Sequence, residues 1–298
     1  MTTPTPLAAT EPARAYTDGF AGTRDGLRLH YRDYPGSAAA PPLLCLPGLT
    51  RNARDFERLA ERYAGRFRVL ALDFRGRALS DDDPDPSHYH PLTYAQDVIE
   101  LLSQLGIDRA IFVGTSLGGL VTMLVAGLAP QRIAAAVLND VGPELSRTGL
   151  ERIRGYVGND ERFADWAEAA RQIAANNNQL PARYRDDDWL CLARRVCREE
   201  AGEIRFDYDP AIAVPIHAPE SAPQVDMWPL FRMLAAAPLL IVRGGDSDLL
   251  SAQALSAMAE VGGNIDCVTV PGVGHAPDLD EPEAITAIDA FLERVVAR

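Results

Sequence analysis

Apolar and polar positions along the 298-residue chain follow two alternating rhythms. The run opening at Ala110 has the continuous hydrophobicity of a strand buried on both faces, Leu43–Leu46 and Ile133–Leu138 read as further buried strands, and Phe67–Asp73, Pro238–Gly244 and Ile265–Val270 read as strands too. Helical patterns lie between them. Phe56, Leu59, Ala60 and Tyr63 recur at i, i+3, i+4 and i+7, with Gly65 as the stop. Thr93-x-x-Gln96 reads as a capping box ahead of Val98, Leu101, Leu102 and Leu105. Leu120 to Leu128 is apolar nearly all round, as in a helix enclosed by other elements. A helix capped by Ser251 and a final one with Ile285, Ile288, Phe291, Leu292 and Val295 on one side complete the set. Gly19 to Tyr34 reads as a hairpin turned at Arg24-Asp25-Gly26. Strands alternating with helices in this way predict an α/β fold with a mostly parallel, doubly wound sheet.

The rhythm breaks between Glu144 and Ala235. No buried-strand run occurs there, only amphipathic segments around Leu150–Val157, Phe163–Ile173 and Trp189–Val196, joined by Pro/Asp-rich connections. The expectation is a helical cap inserted at 144–235 into a core of 16–143 and 236–298, with residues 1–15 as a loose tail. Net charge is −13. It disfavours nucleic acid and anionic membranes as partners, and favours neutral or cationic small molecules. The four cysteines form no C-x-x-C pair, and Cys45 and Cys267 fall in apolar runs where a buried, inert thiol is expected. There is no leader-like apolar segment and no stretch of eighteen apolar residues, so a soluble cytoplasmic protein is expected. The Asp81–His90 run, rich in Asp and Pro, reads as a solvated loop rather than a metal site. No cofactor is expected.

The chemistry centres on Gly114-Thr-Ser-Leu-Gly118, which follows the strand at Ala110 and opens the apolar helix. Strand, sharp turn and helix is the context a G-x-S-x-G motif needs to act as a nucleophile elbow, with glycines where any Cβ would collide with a neighbour. Ser116 then needs a base. Of five histidines, His275 alone follows a strand of the sheet, in Pro271-Gly-Val-Gly-His-Ala-Pro277. Three acids are in reach of such a base: Asp248 and Asp246 in the loop after the Pro238–Val242 strand, and Asp140 at the end of the strand after the elbow. Asp248 is preferred, since it keeps the order Ser, Asp, His and its loop can bend back toward His275. The oxyanion donors are expected to be the backbone amides of Leu117 and of Leu49, after Pro47-Gly48. Trp166, Trp189, Trp228, Tyr184 and Met227 are read as cap packing at least as readily as pocket lining.

Leu46-Pro-Gly-Leu49, Asp73-Phe-Arg-Gly-Arg-Ala-Leu-Ser80, the elbow, Asn139-Asp-Val-Gly-Pro143, Arg243-Gly-Gly-Asp-Ser-Asp248 and Gly274-His-Ala-Pro277 together resemble the α/β-hydrolase superfamily, in particular its lidded serine esterases and lactonases. The resemblance implies Ser116, Asp248 and His275 as a triad, and the amides of Leu49 and Leu117 as the oxyanion hole. Pro47 stands where many members carry His, and Ala78 where Gly is frequent; both bear on loop geometry rather than mechanism. A serine at the elbow excludes the alkyl-ester chemistry that needs a carboxylate nucleophile. What remains is hydrolysis of small carboxylic esters. Lactone or C–C bond hydrolysis on the same triad is the alternative, and a ligand sensor with a retained triad lies outside enzymology altogether.

Overall fold

The computed structural model describes residues 15–176, 184–218 and 225–297; of the tail expected at 1–15, residues 1–14 lie outside them. In chain order the elements are β1 (Thr17–Gly22), β2 (Arg28–Tyr34), β3 (Leu43–Leu46), α1 (Glu57–Tyr63), β4 (Val69–Leu72), α2 (Pro91–Gln104), β5 (Ala110–Thr115), α3 (Leu117–Leu128) and β6 (Ile133–Asn139). Then come α4 (Arg147–Tyr156), β7 (Arg162–Phe163), α5 (Trp166–Asn176), α6 (Asp186–Val196), β8 (Cys197–Glu200), β9 (Glu203–Phe206), α7 (Val214–His217) and α8 (Trp228–Leu234). The chain closes with β10 (Leu239–Gly244), α9 (Ala252–Glu260), β11 (Ile265–Val270) and α10 (Pro282–Val296).

Among the described residues one sheet has the order β1-β2-β4-β3-β5-β6-β10-β11. β1, β2 and β4 pair antiparallel, and every pairing from β4 to β11 is parallel. This is the expected doubly wound sheet. Its strands are apolar at successive positions because both faces are covered. Leu44, Leu46, Leu70, Leu72, Phe112 and Leu138 pack toward α2, α3 and α8. Leu43, Cys45, Val69, Ala71, Ile111, Val113 and Val137 pack toward α1 and α10. The hairpin turns where expected, and Ser251 caps α9 by accepting from the Ala254 amide. One boundary moves: α2 begins at Pro91, with the His90 ring accepting from the Leu92 amide, two residues ahead of the Thr93 capping box.

Three expectations are corrected. The segment between β6 and β10 is not purely helical, because β7, β9 and β8 form a small antiparallel sheet. Their sequences (Arg-Phe, Glu-Ile-Arg-Phe, Cys-Arg-Glu-Glu) hold no apolar run, since only one face is covered. Cys45 is buried, but Cys267 is exposed, because β11 is the edge of the sheet. The Asp81–His90 run is only partly solvated: Asp83 is buried against the guanidinium of Arg75.

β3 is flanked by β4 on one side and β5 on the other, so the chain reverses its direction of travel across the sheet there. The loops leaving β3 and β5 therefore open onto a crevice at the carboxyl edge of the sheet.

Candidate active site

The elbow is held by close packing on both sides. A Cβ on Gly114 would lie 2.6 Å from the Gly118 carbonyl carbon, and one on Gly118 would lie 2.1 Å from the Leu46 carbonyl oxygen. Between them Ser116 adopts φ 51°, ψ −114°, a region that costs a non-glycine residue about 1–3 kcal/mol and persists only where surroundings impose it. They do so here: the Ser116 amide donates to the Asn139 carbonyl at 3.0 Å, and the Ser116 carbonyl accepts from Gly119 at 2.9 Å. The Leu117 amide, at the first position of α3, has no carbonyl one turn back to receive it.

His275 leaves the loop after β11 and meets this turn. Its Nε2 lies 2.9 Å from Ser116 Oγ, and its Nδ1 lies 2.7 Å from Asp140 Oδ2. A carboxylate only accepts, so Nδ1 carries the ring proton and Nε2 is left as an acceptor facing the hydroxyl. Asp140 directly follows β6 and is fully buried. Its φ of 54° turns the side chain out of the strand, while its amide donates to Val242 at 2.7 Å. The carboxylate also accepts from the Gly244 amide at 2.8 Å and from Ser247 Oγ at 2.6 Å.

The preferred acid, Asp248, is corrected by this geometry. Its carboxylate receives Arg152 Nε at 2.5 Å and Nη2 at 2.9 Å, and the imidazole is bonded to Asp140 instead. The Gly245–Ser251 loop starts against the His275 loop, where the Asp246 amide donates to the Val273 carbonyl, but at Asp248 and Leu249 it lies against α4. Ser146 donates to the Leu249 carbonyl, and Gly149 packs so closely that a Cβ there would lie 2.7 Å from the Asp248 carbonyl oxygen. Burial works against ionisation of Asp248, but Arg152 outweighs it and lowers its pKa. Asp246 is exposed.

The loop after β3 is fixed by residues that sequence reading left without a role. Arg77, buried beneath the Tyr89 and Tyr94 rings, donates Nε to the Leu49 carbonyl at 3.0 Å and so sets the peptide plane beyond Leu49. Asp73 accepts from the Ala53 amide at 2.6 Å and from buried His30 at 2.6 Å. Ala78 adopts φ 47° and donates to the Asp207 carbonyl, tying the inserted segment to the core. Asp25, Asp83 and His88 bring ligand atoms together, yet Arg75 Nη1 already bonds Asp25 at 2.6 Å and Asp83 at 2.5 Å, supplying the positive charge there.

Ser116, His275 and Leu49 open onto a cavity of about 160 Å³, walled by the sheet edge and by α4, α5 and α6. This is room for a small organic molecule. Leu49, Phe56, Ile153, Ile173, Leu192 and Phe206 are among its apolar lining. Tyr184 lines it too, whereas Trp166 and Trp189 pack within the inserted segment and Met227 and Trp228 pack against the main core. No helix among the described residues is long and apolar enough to cross a membrane.

Comparisons with known proteins identify the family. A family model described as the alpha/beta hydrolase family matches residues 43–288. The chain is 33% identical over 272 residues to the 3-hydroxybutyrate-oligomer hydrolase of Cupriavidus necator, covering 89% of this chain and 92% of that one. It is 30% identical over 258 residues to the 2-(acetamidomethylene)succinate hydrolase of Mesorhizobium japonicum, covering 86% and 89%. A crystal structure of an alpha/beta hydrolase from Novosphingobium aromaticivorans superposes with a TM-score of 0.91 at 53% identity, covering 95% and 100%.

Proposed function

Because the chain belongs to the alpha/beta hydrolase family, we propose that it hydrolyses carboxylic esters of small molecules through an acyl-enzyme on Ser116. The observation that carries this is the hydrogen-bonded line Ser116–His275–Asp140, whose first two members line the cavity. Ser116 Oγ attacks the ester carbonyl carbon as Nε2 of His275 takes its proton, and Asp140 steadies the imidazolium that results. The carbonyl oxygen becomes an oxyanion between the amides of Leu49 and Leu117, each such donor contributing about 3–4 kcal/mol to the lowered barrier. The C–O bond to the alcohol breaks, and the alcohol leaves with the proton held by His275. Water, deprotonated by the same nitrogen, attacks the acyl carbon and frees the acid and Ser116. Relatives with 30% identity or more that are themselves hydrolases support the reading.

The test is turnover of short p-nitrophenyl esters together with labelling by a fluorophosphonate. The expected result is hydrolysis and one labelled residue, Ser116, with both lost in Ser116→Ala. Labelling elsewhere, or turnover that survives Ser116→Ala, overturns the mechanism. A panel adding lactones and vinylogous diketones separates ester hydrolysis from lactone or C–C cleavage by the same residues.

A further inference from the structure

Two arginines line the cavity that hydrolysis of a plain ester does not use. Arg51 stands beside the elbow, since its Cγ and the Ser116 Cβ both lie within 4 Å of the point a Gly48 Cβ would occupy. Arg152 comes from α4, next to Ile153 and one turn from Tyr156, which line the same space. Each guanidinium is gripped by one carboxylate along an edge, and Arg152 is hydrogen-bonded by Tyr156 as well. Asp55 receives Arg51 Nε at 2.5 Å and Nη2 at 2.7 Å, and Asp248 receives the same two atoms of Arg152. A guanidinium has five N–H donors in a rigid plane. The grip fixes that plane and leaves the Nη1 edge outside it. Both side chains keep about a quarter of their surface accessible, 27% and 26%. Of the acids lining the cavity, Asp55 is held by Arg51 and Asp278 by Tyr184 and Arg195, and Glu161 is the third.

We propose that Arg51 and Arg152 form a carboxylate subsite, so that the preferred substrates are small esters carrying a free carboxylate besides the ester group. This rests on the hydrolase reading above and names its substrate class. The two forks are preorganised, one from the core and one from the inserted segment; Arg51 can meet a carboxylate through two parallel N–H···O bonds, and Arg152 can add a charge-assisted one beside Tyr156. The chain's net charge of −13 does not decide against it. Charges farther away than about 8 Å are screened at physiological salt, whereas bidentate contact acts at hydrogen-bond distance.

The experiment compares monoethyl succinate with ethyl succinamate, which has the same shape but a carboxamide in place of the carboxylate. The expected kcat/KM ratio is tenfold or more in favour of the acid, falling toward one in Arg51→Gln and in Arg152→Gln. Binding of both probes to Ser116→Ala by calorimetry reads the same preference with no turnover. A preference there without hydrolysis by the intact protein would keep the subsite and reject the hydrolase reading. A ratio of one or below in both measurements overturns the subsite, as does a preference undiminished in both arginine variants. Glu161→Gln changes cavity charge by one unit while leaving the forks intact. It is expected to move the ratio far less than either arginine variant, and an equal movement overturns bidentate recognition.

Discussion

Asp140→Asn separates the two acids at the sheet edge. In the native arrangement Oδ1 accepts from the Gly244 amide, and Oδ2 accepts from both Ser247 Oγ and His275 Nδ1. Placing an NH₂ at the Oδ2 position puts donors face to face unless His275 moves its proton to Nε2. That tautomer presents N–H to Ser116 Oγ and cannot accept its proton, a fault that costs ~10⁴-fold in kcat where a triad acid has been replaced in this way. At 1.36 kcal/mol per decade this is about 5.4 kcal/mol of barrier. Flipping the amide restores an acceptor toward His275 but sets NH₂ against the buried Gly244 N–H, at about 1–3 kcal/mol of stability. Either outcome is measurable, by kcat/KM on p-nitrophenyl acetate and by calorimetric unfolding. Asp248→Asn weakens a part-buried pair with Arg152 that lies outside the proton-transfer line, and the same ester is expected to lose fivefold or less. A 10³-fold loss in Asp248→Asn with near-normal Asp140→Asn would refute the assignment.

Two further substitutions probe the scaffold. Gly118→Ala drives a methyl to 2.1 Å from the Leu46 carbonyl oxygen, and neither backbone can yield cheaply. Stability is expected to fall by the upper part of the ~1–3 kcal/mol typical of overpacking, with activity down ~10²-fold as Ser116 and the Leu49 loop separate; a wild-type melting temperature and rate would refute this. His30 is a pH-dependent brace. Burial opposes its protonation, but Asp73 and Asp18 outweigh it and raise its pKa above 6.5. Its ionic contribution is therefore complete below 6.5 and lost as pH climbs through the raised value. The stability gap between the native protein and His30→Gln, read by urea unfolding, is expected to shrink from pH 6 to pH 9, and a constant gap would show that His30 is neutral throughout.

The sheet, the sharp turn at Ser116 and the place of His275 beside it were legible because local chemistry fixes them. The fully apolar runs at β3, β5 and β6 became interior strands, while the mixed run at Ile265–Val270 became the edge, and Gly114 and Gly118 mark contacts that tolerate no Cβ. His275 is singled out by following a strand. The acid was not legible, since Asp140, Asp246 and Asp248 all follow strands that end at one edge. What decides among them is Arg152, four residues before Tyr156 in a helix whose packing against the Asp248 loop depends on Gly149. Nothing in local periodicity reports such a long-range contact. The same holds for Arg75, which draws Asp83 inward from a run that composition alone assigns to solvent. Whole-chain charge likewise says little about a cavity in which each arginine is set by one neighbouring aspartate.

With the histidine's partner at the end of β6, the turn after β10 holds that carboxylate through Gly244 and Ser247 but leaves its own Asp248 outside the proposed proton-transfer line. Positions 152 and 248 can therefore change in concert, altering which molecules are admitted while the proton-transfer line stays intact. Libraries randomised at that pair should yield altered selectivity far more often than dead protein.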